Sequence, residues 1–176
     1  HDVRGFVLFH LAAALEQDDT PTRDLGTACL LSYGLVPLEV SGVWPKPDDG
    51  PPRPNGTRET QIAWLLQWFS ESRASDALRL HAPVALARLA NGAGELPKRA
   101  VSSVLLSVLT NHSTESRDLQ RATVIALGRL GDDDLDDMDG RIRDKLRKLF
   151  GSKDTMTRDL ARIALARVAS RPGPGP

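Results

Sequence analysis

The sequence has little cysteine, few aromatic residues and no net charge. It contains a single cysteine, Cys29, so an internal disulfide is excluded. Aromatic residues make up only 5% of the 176 residues, and no run of β-branched and aromatic residues at period two indicates a strand. Lysine plus arginine and aspartate plus glutamate number 23 each, which removes any whole-molecule attraction to nucleic acid or to an anionic membrane. Binding to either would need a local charged patch.

A long apolar run is also missing. The longest one, FVLFHLAAAL over 6–15, is interrupted by His10 and is shorter than the roughly 20 residues that a helix needs to span a bilayer. No signal peptide is recognisable at the start, so no membrane partner is expected. Because the sequence begins at His1 without an initiator methionine, we expect a processed chain or a piece of a larger protein, and the compartment stays open.

Motifs for catalysis and for metal binding are absent from the sequence. His1, His10, His81 and His112 are scattered, no glycine-rich elbow surrounds a serine, and no HExxH or CxxC pattern occurs. The sequence therefore predicts no enzyme, no cofactor and no metal site. We expect Cys29 to be a buried core residue, and His10 and His81 to be hydrogen-bonded core or interface residues.

The acidic run DDDLDDMDG over 132–140 is the one segment that invites a calcium interpretation. Its spacing does not fit the calcium loop, which would need an aspartate where Leu135 stands before the Asp139-Gly140 pair. The alternative is a turn whose last acids lie at a helix N-terminus, where the helix dipole favours negative charge.

Leucine, alanine and arginine recur at three- and four-residue spacing, which predicts amphipathic α-helices. Residues suited to helix starts and ends support the boundaries: hydroxyl N-caps at Thr22, Ser75, Ser116 and Thr157, and Pro97 in a first turn. The sequence predicts an all-α fold with eight helices over 3–16, 22–36, 58–72, 75–90, 97–110, 116–130, 139–150 and 156–170.

Prolines interrupt this pattern at three places. The stretch 41–57 holds five of the twelve prolines and is predicted to be a loop, ordered or mobile, inserted in the helical domain. Pro83 falls within the helix expected over 75–90 and predicts a kink or a late start there. Residues 171–176, RPGPGP, are expected to form a disordered tail.

Every second predicted helix repeats the same pattern. The caps Thr22, Ser75, Ser116 and Thr157 are 53, 41 and 41 residues apart, and the first interval is longer because it contains the proline loop. RATVIALGRLGD over 121–132 resembles the second-helix signature of HEAT repeats, and ALARLAN over 85–91 is similar to it. The last repeat departs from the pattern, because its ALARVA run is shifted by about three residues relative to its cap.

The resemblance to HEAT repeats implies a single domain over 1–170, built as an α-α superhelix, or solenoid, of about four antiparallel helix pairs. It also implies a non-enzymatic module for protein–protein interaction or scaffolding, with a protein partner. Arginines recur on the second helices, and we expect them to form a ladder that binds acidic or polar segments of a partner. These residues are Arg79, Arg88, Arg117, Arg121, Arg129, Arg158, Arg162 and Arg167.

Two alternatives stay open for these side chains. The arginines could instead pair with Asp118, Asp159 and other neighbours within the chain. Trp44, in the proline loop, either pins the loop onto the helices or presents an aromatic anchor to a partner, whereas Trp64 and Trp68 share a helix face and are predicted to pack in the core.

A second function class rests on the basic helix RIRDKLRK over 141–148, with Leu146 and Phe150 as anchors. A solvated helix face is favoured over a nucleic-acid site as the explanation of this charge. Some HEAT-like proteins are DNA glycosylases, so a nucleic-acid-binding protein of that kind, or a HEAT-like lyase, is the alternative to the interaction module. The zero net charge disfavours a nucleic-acid partner.

Overall fold

The computed structural model describes residues 3–16, 23–71, 75–110, 115–134 and 136–173, and all regular structure in these ranges is helical. This confirms the predicted all-α class. Short 3-10 turns occupy Pro47–Asp49 and Leu149–Gly151. The α-helices are α1 (Val3–Glu16), α2 (Arg23–Tyr33), α3 (Arg58–Glu71), α4 (Asp76–Arg79), α5 (Ala82–Ala90), α6 (Glu95–Thr110), α7 (Arg117–Leu130), α8 (Asp137–Lys148) and α9 (Thr155–Ala169).

The helices pack in two rows. Consecutive contacts join α2 to α5, α5 to α7 and α7 to α9 in one row, and α3 to α6 and α6 to α8 in the other. Contacts of α6 with α7 and of α8 with α9 hold the rows together, because each helix buries its apolar stripe against the opposite row. Leu65, Leu105, Leu127 and Ile142 are completely buried there.

Two glycines allow neighbouring helices of the first row to approach closely. A Cβ on Gly34 would lie 2.6 Å from the Cβ of Ala85, and a Cβ on Gly128 would lie 2.7 Å from the Cα of Ala164. Both distances are below van der Waals contact, so only glycine fits at these two positions without moving a helix.

The helix expected over 75–90 is two helices. The helix is interrupted at Leu80 and His81, between α4 and α5, and Pro83 is the second residue of α5. Proline has no N–H to donate to the carbonyl of Arg79, and its ring would clash with that carbonyl. The predicted late start is therefore confirmed.

Not every residue predicted as an N-cap caps a helix in the structure. Ser116 caps α7, and its hydroxyl accepts a hydrogen bond from the Leu119 amide at 3.3 Å. Ser75 stands at the N-cap of α4 without a side-chain bond. Thr22 lies outside the described residues. Thr157 is not a cap: α9 begins earlier, and the carboxylate of Asp154 accepts from the Thr157 amide at 2.9 Å.

This correction removes the shift in the last repeat. Asp154 follows Ser116 by 38 residues, and Ala164 follows Ala126 by the same interval. The last two second helices therefore share one register from cap to C-terminus.

Several predicted core residues are buried. Cys29, Trp64 and Trp68 belong to the hydrophobic core, as expected. The indole N–H of Trp68 donates to the carbonyl of Leu15 at 3.2 Å, which fixes α3 against the end of α1. His81 is half-buried.

Of the two alternatives for His10, the core residue is wrong and the interface residue stays a prediction. The side chain is exposed on α1, where its ring contacts the equally exposed Phe6 at a centroid distance of 4.4 Å. Among the described residues, no helix combines the length and the apolarity needed to cross a membrane.

The loop between α2 and α3 is ordered and is held by the first turn of α3. The buried carboxylate of Glu59 accepts hydrogen bonds from the Ser41 and Gly42 amides at 3.0 and 2.7 Å. The side-chain amide of Gln61 accepts from the Leu38 amide at 3.1 Å and donates to the Val36 carbonyl at 3.0 Å. A proline-rich connection without regular structure of its own thus acquires fixed partners for its backbone.

Part of the expected tail is also ordered. The guanidinium of Arg171 donates to the carbonyl of Gly131 at 2.8 Å and also to that of Arg129, at the end of α7. The Gly173 amide donates to the carboxylate of Asp133 at 2.8 Å. Residues 174–176 of the expected tail lie outside the described residues.

Candidate partner-binding surface

The eight arginines predicted to form a ladder fall into two groups, and the first group is bound within the chain. Arg121 forms a two-point ion pair with Asp154, with N–O distances of 2.9 and 3.2 Å, and a third bond of 2.9 Å to Asp118. These bonds raise the pKa of Arg121 and hold the pKa of the Asp154 carboxyl far below its usual range. Arg162 pairs with Asp159 at 3.2 Å. The pairings with Asp118 and Asp159 were the alternative considered for the ladder.

Two more arginines of this group are bound where helices meet. Arg79 lies 3.4 Å from the carboxylate of Glu115 and stacks 5.2 Å from the ring centre of Phe69. Arg158 donates to the carbonyl of Ser152 at 3.1 Å. These contacts hold both side chains against the protein, and their role toward a partner stays a prediction.

For the side chains of the second group, no acceptor is found among the described residues. Arg88, Arg117 and Arg167 are exposed, and none of them forms a hydrogen bond or an ion pair with a described residue. Arg129 is half-buried, and its Nε atom is buried without a hydrogen-bond partner among the described residues.

Ile125 and Arg129 define the outer face of α7. They are four residues apart and therefore share one side of the helix. Leu127 lies between them in sequence, on the opposite side, and is completely buried. Gly128 faces Ala164 of α9. The side that carries Ile125 and Arg129 thus points away from the core and from the second row of helices.

The same register repeats on the other helices of the first row. Val84 and Arg88 flank the buried Leu86 on α5 just as Ile125 and Arg129 flank Leu127. The corresponding residue on α2 is Tyr33, which is completely buried, and on α9 it is Leu165, which is partly buried. The outer face therefore carries an aliphatic row, Leu31, Val84, Ile125 and Ile163, and an arginine row, Arg88, Arg129 and Arg167. Together these two rows are called the second-helix surface below.

The aliphatic row is exposed to solvent at both ends. Leu31 is 39% exposed and Ile163 is 53% exposed, whereas Val84 and Ile125 are half-buried between their neighbours. Leu35, just after α2, takes the position that arginine holds on the other helices and is also exposed. Aliphatic side chains at one register on four helices differ from the isolated exposed leucines that are normal on a protein surface.

The aliphatic row was not predicted from the sequence, although its signal is present there. A β-branched residue immediately precedes the Ala-Leu pair on three of the second helices, in VALAR over 84–88, IALGR over 125–129 and IALAR over 163–167. The position was counted as part of the general apolar pattern. Only the packing shows that it lies on the outer side.

Trp44 packs onto the protein and is not presented outward. It is partly buried against the hydrophobic core. The Glu59 carboxylate fixes Ser41 and Gly42 close by in the same loop. Burial alone would raise the pKa of Glu59, but the hydrogen bonds from these amides lower it below its ordinary value. Of the two roles considered for Trp44, pinning the loop is the one observed.

The acidic turn before α8 forms a buried ion pair with Lys98. Carboxylate oxygens of Asp132, Asp134 and Asp139 lie within 4.8 Å of one another, a spacing that would suit a cation. The Lys98 ammonium lies 2.7 Å from Asp132 and 2.5 Å from Asp139 and supplies that positive charge. Burial alone would lower the pKa of Lys98, but these bonds raise it above its usual range. Asp136 caps α8 and accepts from the Asp139 amide at 2.7 Å, as the helix-start interpretation predicted.

The basic helix proposed for nucleic acid is partly bound within the chain. Arg143 donates to the carbonyl of Asp132 at 2.9 Å, and Arg147 pairs with Asp144 at 3.2 Å. Burial lowers the pKa of Lys145. Of the two expected anchors, Leu146 is completely buried in the core. The helix therefore offers a nucleic acid fewer free charges than its sequence indicates.

Comparison with protein-family models, with curated proteins and with solved structures finds no match to this chain. Function therefore has to be inferred from the residues themselves, and the second-helix surface is the feature that repeats across the fold.

Proposed function

We propose that the chain is a HEAT-like α-α superhelix of about four helix pairs. Two observations support this architecture: each row of helices is held by contacts between successive members, and the glycine at each close approach faces an alanine at the same relative position. Gly34 faces Ala85, and Gly128 faces Ala164. In both pairs the alanine stands two positions before the residue that occupies the glycine's own register on the next helix. A repeated step of this kind is what generates a solenoid.

The function proposed for this superhelix is a non-enzymatic protein–protein interaction or scaffold module. The observation that carries the proposal is the aliphatic row, which places aliphatic side chains at one register on four helices and leaves Leu31 and Ile163 substantially exposed. Apolar surface contributes roughly 25 cal/mol per Å² when it is removed from water, so a row with exposed aliphatic side chains at its ends favours a partner that covers it. An adjacent row of unpaired arginines adds charge that selects among partners.

This surface suits a protein better than it suits a nucleic acid. A nucleic-acid site places many cations along a phosphate backbone, whereas here the cations are three and an aliphatic line runs beside them. The remaining basic helix has two of its cations bound to Asp132 and Asp144. The capture experiment below also tests nucleic-acid binding.

The test is an affinity capture from the lysate of the source organism, with bound proteins identified by mass spectrometry. The variant Ile163→Asp places a charge in the exposed end of the aliphatic row and should lose the captured protein. Leu96→Asp is the matched control, because Leu96 is 59% exposed on α6, in the other row of helices. Thermal unfolding followed by circular dichroism verifies that both variants keep the fold.

A protein that wild type and Leu96→Asp retain and Ile163→Asp loses supports the interaction module and its surface. Equal capture by all three chains contradicts the surface. Recovery of nucleic acid that nuclease treatment abolishes would instead support the nucleic-acid-binding alternative.

A further inference from the structure

The chemistry of the second-helix surface specifies the kind of segment that fits it. Resting on the function proposed above, we propose that the partner contributes an extended, polyproline-II-like segment with a carboxylate at every third residue. This segment crosses the helices of the first row roughly at right angles, with its carboxylates on the arginine row.

Spacing is the first reason. Packed helices lie about 8–10 Å apart, and two steps of this row are in close contact, at Gly34 against Ala85 and at Gly128 against Ala164. A polyproline-II segment has three residues per turn and a rise of about 3.1 Å, so identical positions recur about every 9 Å along one face. A β-strand returns to the same face after two residues, at about 6.7 Å, and does not match. One carboxylate per three residues therefore meets one arginine per helix.

Charge is the second reason. Arg88 and Arg167 have no acceptor among the described residues, and the Nε atom of Arg129 is buried without one. Guanidinium groups pair best with carboxylates, where two parallel hydrogen bonds form. The arginine row lacks its acceptors, and carboxylates of a partner supply them.

The aliphatic row accounts for a second face of the same segment. On each helix the aliphatic residue lies four positions from the arginine, which separates their Cβ atoms by about 5–6 Å. A three-sided segment that directs one face to the arginine row turns a neighbouring face to Val84, Ile125 and Ile163. Proline or aliphatic side chains on that face bury against the row, and the third face remains in solvent. The recognition pattern is an acid, an apolar residue and an unconstrained residue.

The test uses a fluorescent twelve-residue peptide, Glu-Pro-Pro repeated four times, titrated into the full chain and followed by fluorescence anisotropy. The control peptide has the same composition with its four glutamates adjacent. We expect wild type to bind the periodic peptide at least about tenfold more tightly than the control peptide, with affinity that falls as salt is added. Arg88→Glu should remove most of this preference.

Arg117→Glu is the matched control variant. Arg117 is exposed and unpaired like Arg88, but it lies in the first turn of α7, outside the arginine row. Its reversal should change affinity by less than about twofold. Equal binding of the two peptides, no binding of either, or equal effects of Arg88→Glu and Arg117→Glu would overturn the proposed segment. The interaction module is judged separately by the capture experiment, which does not depend on the peptide.

Discussion

Glu59 and Asp139 are both buried carboxylates, and each is held by a different kind of partner. Glu59 receives backbone amides and the hydroxyl of Ser41, at 2.8 Å, whereas Asp139 receives the ammonium of Lys98. A buried carboxylate is costly unless such partners are present. The loop between α2 and α3 therefore depends on Glu59, and the turn before α8 depends on Asp139.

Glu59→Gln should destabilise the protein by about 1–3 kcal/mol, because the amide N–H groups of the variant would face the N–H donors of Ser41 and Gly42. Glu39→Gln is the control, because the exposed pair of Glu39 with Arg4, at 3.0 Å, contributes at most about 1 kcal/mol. Urea denaturation followed by circular dichroism measures both changes. Equal values for the two variants would mean that the loop is not held by Glu59.

The same carboxylate predicts an acid dependence. Because the pKa of Glu59 is lowered in the folded protein, its contribution is present above the unfolded-chain pKa of about 4.3 and is lost as the pH falls through the folded pKa. Between pH 6 and about 3, the wild type should therefore lose more stability than Glu59→Gln does. Parallel stability–pH curves would contradict the assigned role.

Lys98→Met should cost about 3–5 kcal/mol at neutral pH, because it leaves Asp132 and Asp139 buried together without a cation. Repulsion then raises a carboxyl pKa in the folded state above that of the unfolded chain, so the variant should be most stable near pH 4 to 5 and lose stability as the pH rises. Lys153→Met, at an exposed lysine, should change neither value. Melting temperatures measured at pH 5 and pH 7.5 test this prediction. A loss of stability in Lys98→Met that is the same at both pH values would contradict it.

The helices show which parts of the fold the sequence specifies. Apolar spacing predicted their existence, and Pro83 predicted the break before α5, because both effects act within a few residues along the chain. The prediction of Thr157 as the cap of α9 is wrong because threonine and aspartate are both good caps, and only the pairing of Asp154 with Arg121 of α7 distinguishes them. Contacts distant in sequence leave no such local pattern. For the same reason, nothing in the sequence indicated that Glu59 and Gln61 hold the proline loop.

A pair of glycine substitutions tests the close approach of α7 to α9. Gly128→Ala should destabilise the protein, because its Cβ would lie 2.7 Å from Ala164, and overpacking of about 1–3 kcal/mol outweighs a gain of about 1 kcal/mol in helix propensity. Gly140→Ala is the matched control within α8, where nothing lies within 4 Å of the new Cβ, and it should stabilise by up to about 1 kcal/mol. Thermal denaturation distinguishes them. Stabilisation by both substitutions would mean that the two helices do not touch at Gly128.

At the scale of the whole molecule, the sequence repeat places equivalent residues of successive helices on one surface. The prediction correctly assigned arginines to the second helices, but it did not separate those that pair within the chain from those that face outward. That separation depends on the acids that reach across from other elements, as Glu115 reaches Arg79 and Asp154 reaches Arg121. Three arginines and four aliphatic residues at one register remain as the outward-facing set.

The most direct measurement places a photoreactive amino acid at position 125, at the centre of the aliphatic row, and in a second chain at position 96. Both chains are expressed in the source organism and irradiated, and cross-linked adducts are identified by mass spectrometry. If the second-helix surface is the interaction surface, position 125 yields a discrete protein adduct and position 96 does not. Adducts of equal yield at both positions, or adducts only at position 96, would contradict the central claim.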